Sequence, residues 1–101
     1  MPTTMPVTAL LFNSRTLDTV NEVGGVYVLL QQTTTPNYYN ILYIGLSEDL
    51  RRRLSEHYNN PPIQGITHFH VEAIANAVQR GLRERALISQ FNPPGNVQHS
   101  R

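Results

Sequence analysis

Two strand-like segments joined by a polar loop restrict what this chain can fold into. In residues 25–30, β-branched and aromatic side chains alternate between two faces, which is typical of a strand. Residues 41–45 show a similar pattern after a polar loop at 33–37. Two strands so close in sequence are predicted to pair as a hairpin with a wide loop. In an alternating strand, Tyr27 should share a face with Leu29, and Tyr43 should share one with Ile41.

The rest of the chain adds a helix, a third strand and a second helix. Ser47 is a suitable N-cap and two acidic residues follow it, so a helix is predicted from there to about Tyr58. Residues 66–72 alternate like a strand, and residues 74–91 have the pattern of a helix that the following prolines end. The order β-β-α-β-α predicts an α/β domain of the α+β type, with a small three-stranded, partly antiparallel sheet covered by helices.

Length and composition fit a single globular domain. The chain has 101 residues, of which 40% are hydrophobic and 15% charged, which is enough apolar material for one modest core. We therefore predict one domain over residues 1–101, with a core at about 24–96, an N-terminal extension at 1–16 and a tail at 97–101. The apolar residues 9–12 would form either a tail that folds back or an edge strand.

Several classes of protein are excluded by what the sequence lacks. It has no cysteine, which excludes a disulfide framework and a thiolate metal site. No apolar run is long enough to span a bilayer, and residues 1–7 lack the features of a secretory signal. We therefore expect a cytoplasmic location and no membrane partner.

The net charge of +1 conceals an uneven distribution of arginine. All eight basic residues are arginines, and six of them lie in two clusters at 51–53 and 80–85. The planar guanidinium suits phosphate oxygens, although such runs are also common on solvated helix faces. If the clusters bind a nucleic acid, the candidate contacts are Arg51, Arg52, Arg80 and Arg83.

An acidic residue lies in the middle of the apolar side of the second predicted helix. At about 100° per residue, Glu84 shares an arc of about 80° to either side with six mostly apolar residues, namely Ile74, Ala77, Gly81, Leu87, Ile88 and Phe91. A carboxylate rarely occupies such a position without a partner. Glu84 would either form a structural ion pair with Arg80 or face a cleft as a metal ligand or acid–base group.

The first predicted helix carries a comparable feature. Leu50, Leu54 and His57 share one face, and Arg53 lies at its border one turn before His57. His57 would be either a half-buried structural histidine or a functional group. Similarly, the tyrosines of the two strands are more often core residues than catalysts.

The order and spacing of these residues are more informative than each residue alone. Gly25-Val26-Tyr27 is followed, 16 positions after Tyr27, by Tyr43-Ile44-Gly45. Arg53 stands eight residues after Gly45, and His57 follows one helical turn later.

The second helix continues the pattern. Glu84 is followed by Leu87-Ile88, then by two prolines, and by Asn96 twelve residues after the glutamate. From about residue 24 to 96, the chain thus resembles the GIY-YIG nuclease superfamily. It departs from the pattern at Val26, where isoleucine gives the motif its name, and at Leu46, where many members have a polar or basic residue.

The resemblance implies a site for phosphodiester hydrolysis. Tyr27 would be the general base, or part of a proton relay with His57, and Tyr43 would orient water or phosphate beside it. A phenol has an ordinary pKa near 10, so it needs help from a cation or a histidine to act near neutral pH.

The remaining implied roles concern charge. Arg53 would hold the scissile phosphate, Glu84 would bind one Mg²⁺ or Mn²⁺, and Asn96 would brace the site. The expected function is a metal-dependent endonuclease acting on structured or double-stranded DNA in repair, recombination or restriction-type processing, with a homodimer or a separate targeting protein as its partner. The alternatives are a non-catalytic nucleic-acid binding module that retains the fold and a protein-interaction or toxin-like accessory domain.

Overall fold

The structure, a computed structural model, describes residues 8–97. Its elements run in the order β1 (Leu10–Leu11), α1 (Ser14–Leu17), β2 (Gly25–Gln32), β3 (Tyr39–Ser47), α2 (Leu50–Asn59), β4 (His68–Ala73), α3 (Ala77–Phe91) and α4 (Pro94–Val97). The predicted β-β-α-β-α core is present as β2, β3, α2, β4 and α3. None of the helices in the described part is long and apolar enough to cross a membrane. Residues 1–7 of the predicted extension and 98–101 of the predicted tail lie outside the described residues.

The strands form one sheet in the order β1-β4-β2-β3, and all of its pairings are antiparallel. The prediction of three partly antiparallel strands was therefore wrong in two details. The fourth strand is the apolar patch near the start of the chain, where Leu10 pairs with Phe69 and Leu11 with His68. Of the two alternatives for this patch, the edge strand is confirmed. A strand of two residues has no alternation by which a sequence pattern could identify it.

The two faces of the sheet are covered by different helices. The α2 face carries α1 and α2, and its buried residues are Leu17, Val20, Tyr27, Leu29, Leu50, Leu54 and Phe69. The α3 face carries α3, and its buried residues are Val26, Val28, Leu30, Ile41, Ile44 and Leu87. Because β2 alternates strictly, Tyr27 and Leu29 share a face as predicted, and it is the α2 face, whereas Val26 and Val28 point to α3.

An irregularity in the hairpin corrects one predicted face. The register is Leu29 with Tyr43 but Leu30 with Ile41, so Leu42 is an extra residue on β3. The bulge moves Ile41 to the α3 face, whereas Tyr43 packs against the α2 face. The prediction that these two side chains share a face was wrong, because it assumed unbroken alternation.

Both long helices begin later than predicted. Ser47 ends β3, and the N-cap of α2 is Asp49, whose Oδ1 accepts a hydrogen bond from the backbone of Arg52 at 3.1 Å. Ser47 instead bonds the backbone of Asp49 and shapes the turn between strand and helix. Similarly, α3 begins after Asn76, whose side chain caps the amide of Gln79 at 3.0 Å.

Candidate active site

The centre of the candidate site is a hydrogen bond between β2 and α2. The hydroxyl oxygen of Tyr27 lies 2.7 Å from Nε2 of His57, and only 1% of Tyr27 is exposed. The tyrosine ring lies over Gly45, its cross-strand partner on β3. A Cβ atom at position 45 would overlap the ring and hydroxyl of Tyr27. The glycine therefore makes room for the tyrosine, which explains why these residue types occur opposite each other.

Tyr43 completes a cluster of three rings. Its centroid lies 6.2 Å from that of Tyr27 and 5.7 Å from that of His57, and the Tyr27 and His57 centroids are 5.4 Å apart. Its pairing with Leu29, just before the bulge at Leu42 interrupts the register, places its side chain on this face. The structure thus places together the two tyrosines and the histidine that the sequence had singled out.

Arg53 lies beside this cluster on the exposed side of α2. Its Nη1 donates a hydrogen bond to Oε1 of Glu56 at 3.1 Å, three residues further along the helix. The guanidinium is also close enough to Tyr27 to favour its ionised form. Glu56 did not figure among the predicted site residues, although its i, i+3 spacing from Arg53 was a usable signal.

The protonation states of the central pair follow from their surroundings. Burial, and then the neighbouring Tyr43, raise the pKa of the Tyr27 phenol well above its ordinary value, although Arg53 opposes this. Burial, and then Arg53, lower the pKa of His57, while Glu56 acts in the opposite direction. At neutral pH the phenol is therefore protonated and the imidazole is neutral, so the hydroxyl donates to Nε2.

A polar hollow opens next to Arg53. It measures about 410 Å³ and lies between the end of β3, α2 and the first turn of α3. Its lining consists of Leu46, Ser47, Glu48, Arg52, Arg53, Glu56 and Arg80. Another hollow, between β3 and the end of α3, has no charged side chain in its lining. The hollow beside Arg53 is therefore the better candidate for an anionic ligand.

The helix that carries Glu84 packs on the face of the sheet opposite the tyrosines. Glu84 is half-buried on α3, one turn after Arg80 and one turn before the buried Leu87. Burial raises the pKa of its carboxyl group, and Arg85 partly offsets this. Within residues 8–97, Arg80 and Glu84 do not form an ion pair. Instead, Arg80 Nη1 donates hydrogen bonds to the carbonyl oxygens of Ile74 and Ala75. The structural ion pair considered for Glu84 is therefore absent from the described part of the chain.

The donor set around Glu84 limits the kind of metal site it could form. Within the described residues, no three histidine, cysteine, aspartate or glutamate side chains are grouped to hold a metal ion. Mg²⁺, however, commonly binds through one or two carboxylates and keeps several waters. A half-buried carboxylate whose ionised form is poorly solvated fits a site of that kind, but not a cage made of protein ligands.

The side chain of Asn96 bonds the backbone of β3. Its Oδ1 accepts from the amide of Ile44 and its Nδ2 donates to the carbonyl of Ile44, each at 2.8 Å. The side chain thus pairs with β3 as a neighbouring strand would, next to Tyr43. Gly95 permits this approach, because a Cβ atom there would lie 2.6 Å from the carbonyl oxygen of Leu42.

The candidate nucleic-acid contacts differ in how firmly they are held. Arg83 bonds Glu72 through two atoms, at 2.8 and 3.0 Å, and Arg51 donates to the carbonyl of Val20 at 2.7 Å. Both side chains therefore tie elements of the fold together. Arg52 and Arg80 line the hollow. The role of Glu72 was not predicted, since its partner lies on another element and no local spacing connects them.

Comparison with known proteins identifies the fold. No protein-family model matches the sequence, and no curated protein matches it. Among solved structures, the magnesium-bound GIY-YIG N-terminal endonuclease domain of UvrC from Thermotoga maritima superposes with a TM-score of 0.65. It is 21% identical, over 81% of this chain and 92% of that domain.

Variants of the same domain give equivalent matches. One with a tyrosine replaced by phenylalanine, bound to its catalytic divalent cation, has a TM-score of 0.64 and 20% identity over 81% of this chain and 91% of that one. One with an asparagine replaced by alanine has the same TM-score and identity, over 80% and 90%. The chain therefore has the fold of a small GIY-YIG-like domain.

Proposed function

We propose that this protein is a metal-dependent endonuclease that hydrolyses phosphodiester bonds in DNA. The observation that carries the proposal is the 2.7 Å hydrogen bond between Tyr27 and a neutral His57, with Arg53 next to it, in a GIY-YIG-like fold. A buried hydroxyl bonded to a neutral imidazole is a common arrangement for moving a proton. The divalent cation of the UvrC domain supports a similar requirement here.

The proton would travel from water to Tyr27 and from Tyr27 to His57. Tyr27 alone is a poor base near neutral pH, because its raised pKa keeps it protonated. His57 has an available Nε2 lone pair, since its lowered pKa keeps it neutral. The phenol therefore gives its proton to the imidazole as it takes one from the water. Tyr43, whose ring touches both, would orient the water.

Negative charge on the phosphate would be stabilised by Arg53 and by a divalent cation that Glu84 would hold. Arg53 would donate to the non-bridging oxygens, for which its bond to Glu56 must be given up or shared. Glu84 would hold one Mg²⁺ or Mn²⁺, which when bound supplies positive charge to the phosphate and the leaving oxygen. Asn96 would hold the strand that carries Tyr43 in place.

A non-catalytic nucleic-acid binding module remains the second candidate. The position of α3 favours it, because the helix that carries Glu84 packs on the face of the sheet opposite the Tyr27–His57 pair. Such a module would bind DNA with a steep salt dependence and would not cleave it. A cytoplasmic location, a homodimer and a separate targeting protein stay predictions.

A cleavage screen tests the proposal directly. Linear, plasmid, flap and four-way-junction DNA are incubated with the protein and Mg²⁺ or Mn²⁺. Arg53→Ala and Glu84→Gln should each abolish cleavage with an unchanged circular dichroism spectrum. The matched controls are Arg15→Ala and Asp18→Asn, whose side chains are exposed outside the site and should leave the rate unchanged. Equal cleavage by Arg53→Ala and the parent would contradict the site, and DNA binding without cleavage would favour the binding module.

A further inference from the structure

The hollow beside Arg53 holds a second guanidinium whose position is fixed by the protein. Arg80 Nη1 donates to the carbonyl oxygens of Ile74 and Ala75, at 3.1 and 3.0 Å. The same guanidinium lies directly over Gly24, where a Cβ atom would overlap it. An arginine held in this way loses little conformational entropy when it binds an anion.

One donor of the Arg80 guanidinium is left without a partner in the described part of the chain. Its Nε is buried and has no hydrogen-bond partner among the described residues. Such a donor is costly to leave unsatisfied. Arg52 and Arg53 line the same hollow, and of the two glutamates there Glu56 is paired with Arg53. Three guanidinium groups around one hollow are more stable when an anion lies between them.

We propose that this hollow binds a phosphate of the DNA backbone next to the scissile one, with Arg80 as its fixed donor. The identity of the anion rests on the proposed function, and the location of the subsite on the arginines. Arg53, which would contact the scissile phosphate, and Arg80 on α3 both line the hollow. A DNA strand lying in it would therefore contact both α2 and the helix that carries Glu84.

One lining residue offers a position at which the charge of the hollow can be changed without disturbing the core. Leu46 lies on β3 at the wall of the hollow and is 37% exposed, so a longer polar side chain is tolerated there. A lysine at position 46 adds a cation to the subsite, and a glutamate adds a repelling charge. Neither substitution touches the carbonyl groups that Arg80 holds.

Binding is measured with a fluorescein-labelled oligo-dT strand in EDTA, so that no cleavage occurs, over a range of salt concentrations. Arg80→Met should weaken affinity about tenfold and reduce the slope of log affinity against log salt by about one. Leu46→Lys in the Arg80→Met background should restore most of that loss. Arg15→Met, an exposed arginine on α1, is the matched control and should leave affinity within about twofold.

Rescue by Leu46→Lys distinguishes a phosphate contact from a structural role. If Arg80 only holds the chain around Ile74, a lysine at position 46 on β3 cannot compensate for its loss. Unchanged affinity in Arg80→Met would overturn the subsite. If that variant does not fold, Leu46→Glu in the parent should still weaken binding about tenfold, with Leu46→Gln as its control. Equal affinity of these two variants would also overturn it.

The two proposals fail separately. If the parent cleaves DNA with Mg²⁺ while Arg80→Met binds as the parent does, the subsite is wrong and the nuclease stands. If the parent binds through the hollow and never cleaves, the nuclease is wrong and the subsite belongs to a binding module. If the parent does not bind oligo-dT even at low salt, the subsite is overturned.

Discussion

The two faces of the sheet are both buried, but they differ in what they bury. On the α3 face, the strands and helix enclose aliphatic side chains such as Val28, Leu30 and Leu87. On the α2 face, a tyrosine hydroxyl and an imidazole extend into the boundary of the core and bond each other. Burying those polar atoms is tolerated only because each satisfies the other. One face therefore contributes mainly stability, and the other combines stability with a reactive pair.

The largest expected effect is on the α3 face. Leu87→Ala should lower the free energy of unfolding by about 2–5 kcal/mol, because it removes a buried side chain and leaves a cavity. Val78→Ala on the same helix, where 69% of the side chain is exposed, should change it by less than about 0.5 kcal/mol. Urea denaturation measures both. The cleavage rate per folded Leu87→Ala molecule should equal that of the parent. A lower rate per folded molecule would contradict the view that the α3 face contributes mainly stability.

A smaller loss of stability on the α2 face should have a larger effect on cleavage. Gly45→Ala places a methyl group in the space of the Tyr27 ring and should cost about 1–3 kcal/mol through overpacking. Because the ring must move, its bond to His57 is broken and cleavage should be lost. Gly81→Ala is the matched control: its Cβ would lie 3.5 Å from Arg85, an ordinary contact, and alanine favours helix. Full activity in a folded Gly45→Ala protein would contradict the role of the ring cluster.

Much of this architecture was predictable from sequence because its signals are local. The alternation of β2, the apolar positions of α2 at Leu50 and Leu54, and the prolines after α3 depend on neighbouring residues only. All three features are confirmed. That Tyr27 and Tyr43 lie close together could be predicted from their places on paired strands. That His57 joins them was implied by the resemblance to the GIY-YIG superfamily.

Other features could not be predicted because they depend on distant parts of the chain. The bulge at Leu42 separates the faces of Ile41 and Tyr43, and nothing in the local alternation indicates it. The pairing of Leu10 with Phe69 joins residues far apart in sequence. The apolar arc around Glu84 correctly indicated partial burial, but a helical wheel gives only the side of the helix and not the layer of the fold that it faces.

Removing one hydroxyl tests the reactive pair without opening a cavity. Tyr27→Phe should cost about 0.5–1.5 kcal/mol near neutral pH, the usual net value of one hydrogen bond. Cleavage should fall to background, since the proton has no path from water to His57. Tyr38→Phe, at an exposed tyrosine, should alter neither property.

Alkaline pH sharpens this comparison. In the folded protein the pKa of Tyr27 is raised above its ordinary value of 10.0, so the unfolded chain loses that proton first as pH rises. The parent therefore loses stability above about pH 10, whereas Tyr27→Phe lacks this contribution. The difference between the two proteins in free energy of unfolding, measured by urea denaturation, should narrow from pH 8 to pH 11. A constant gap would show that the phenol titrates alike in both states.

The smallest expected effect compares one histidine from each face. Burial lowers the pKa of both His57 and His68 below 6.5, and Arg53 lowers that of His57 further. Since the unfolded chain takes up these protons first as pH falls, stability is present above about pH 6.5 and is lost below it, until each folded imidazole is protonated too. His57→Gln should therefore flatten the dependence of melting temperature on pH between 7 and 5 more than His68→Gln does. An equal effect would mean that neither the deeper burial of His57 nor the charge of Arg53 lowers the pKa of His57 below that of His68 by a measurable amount.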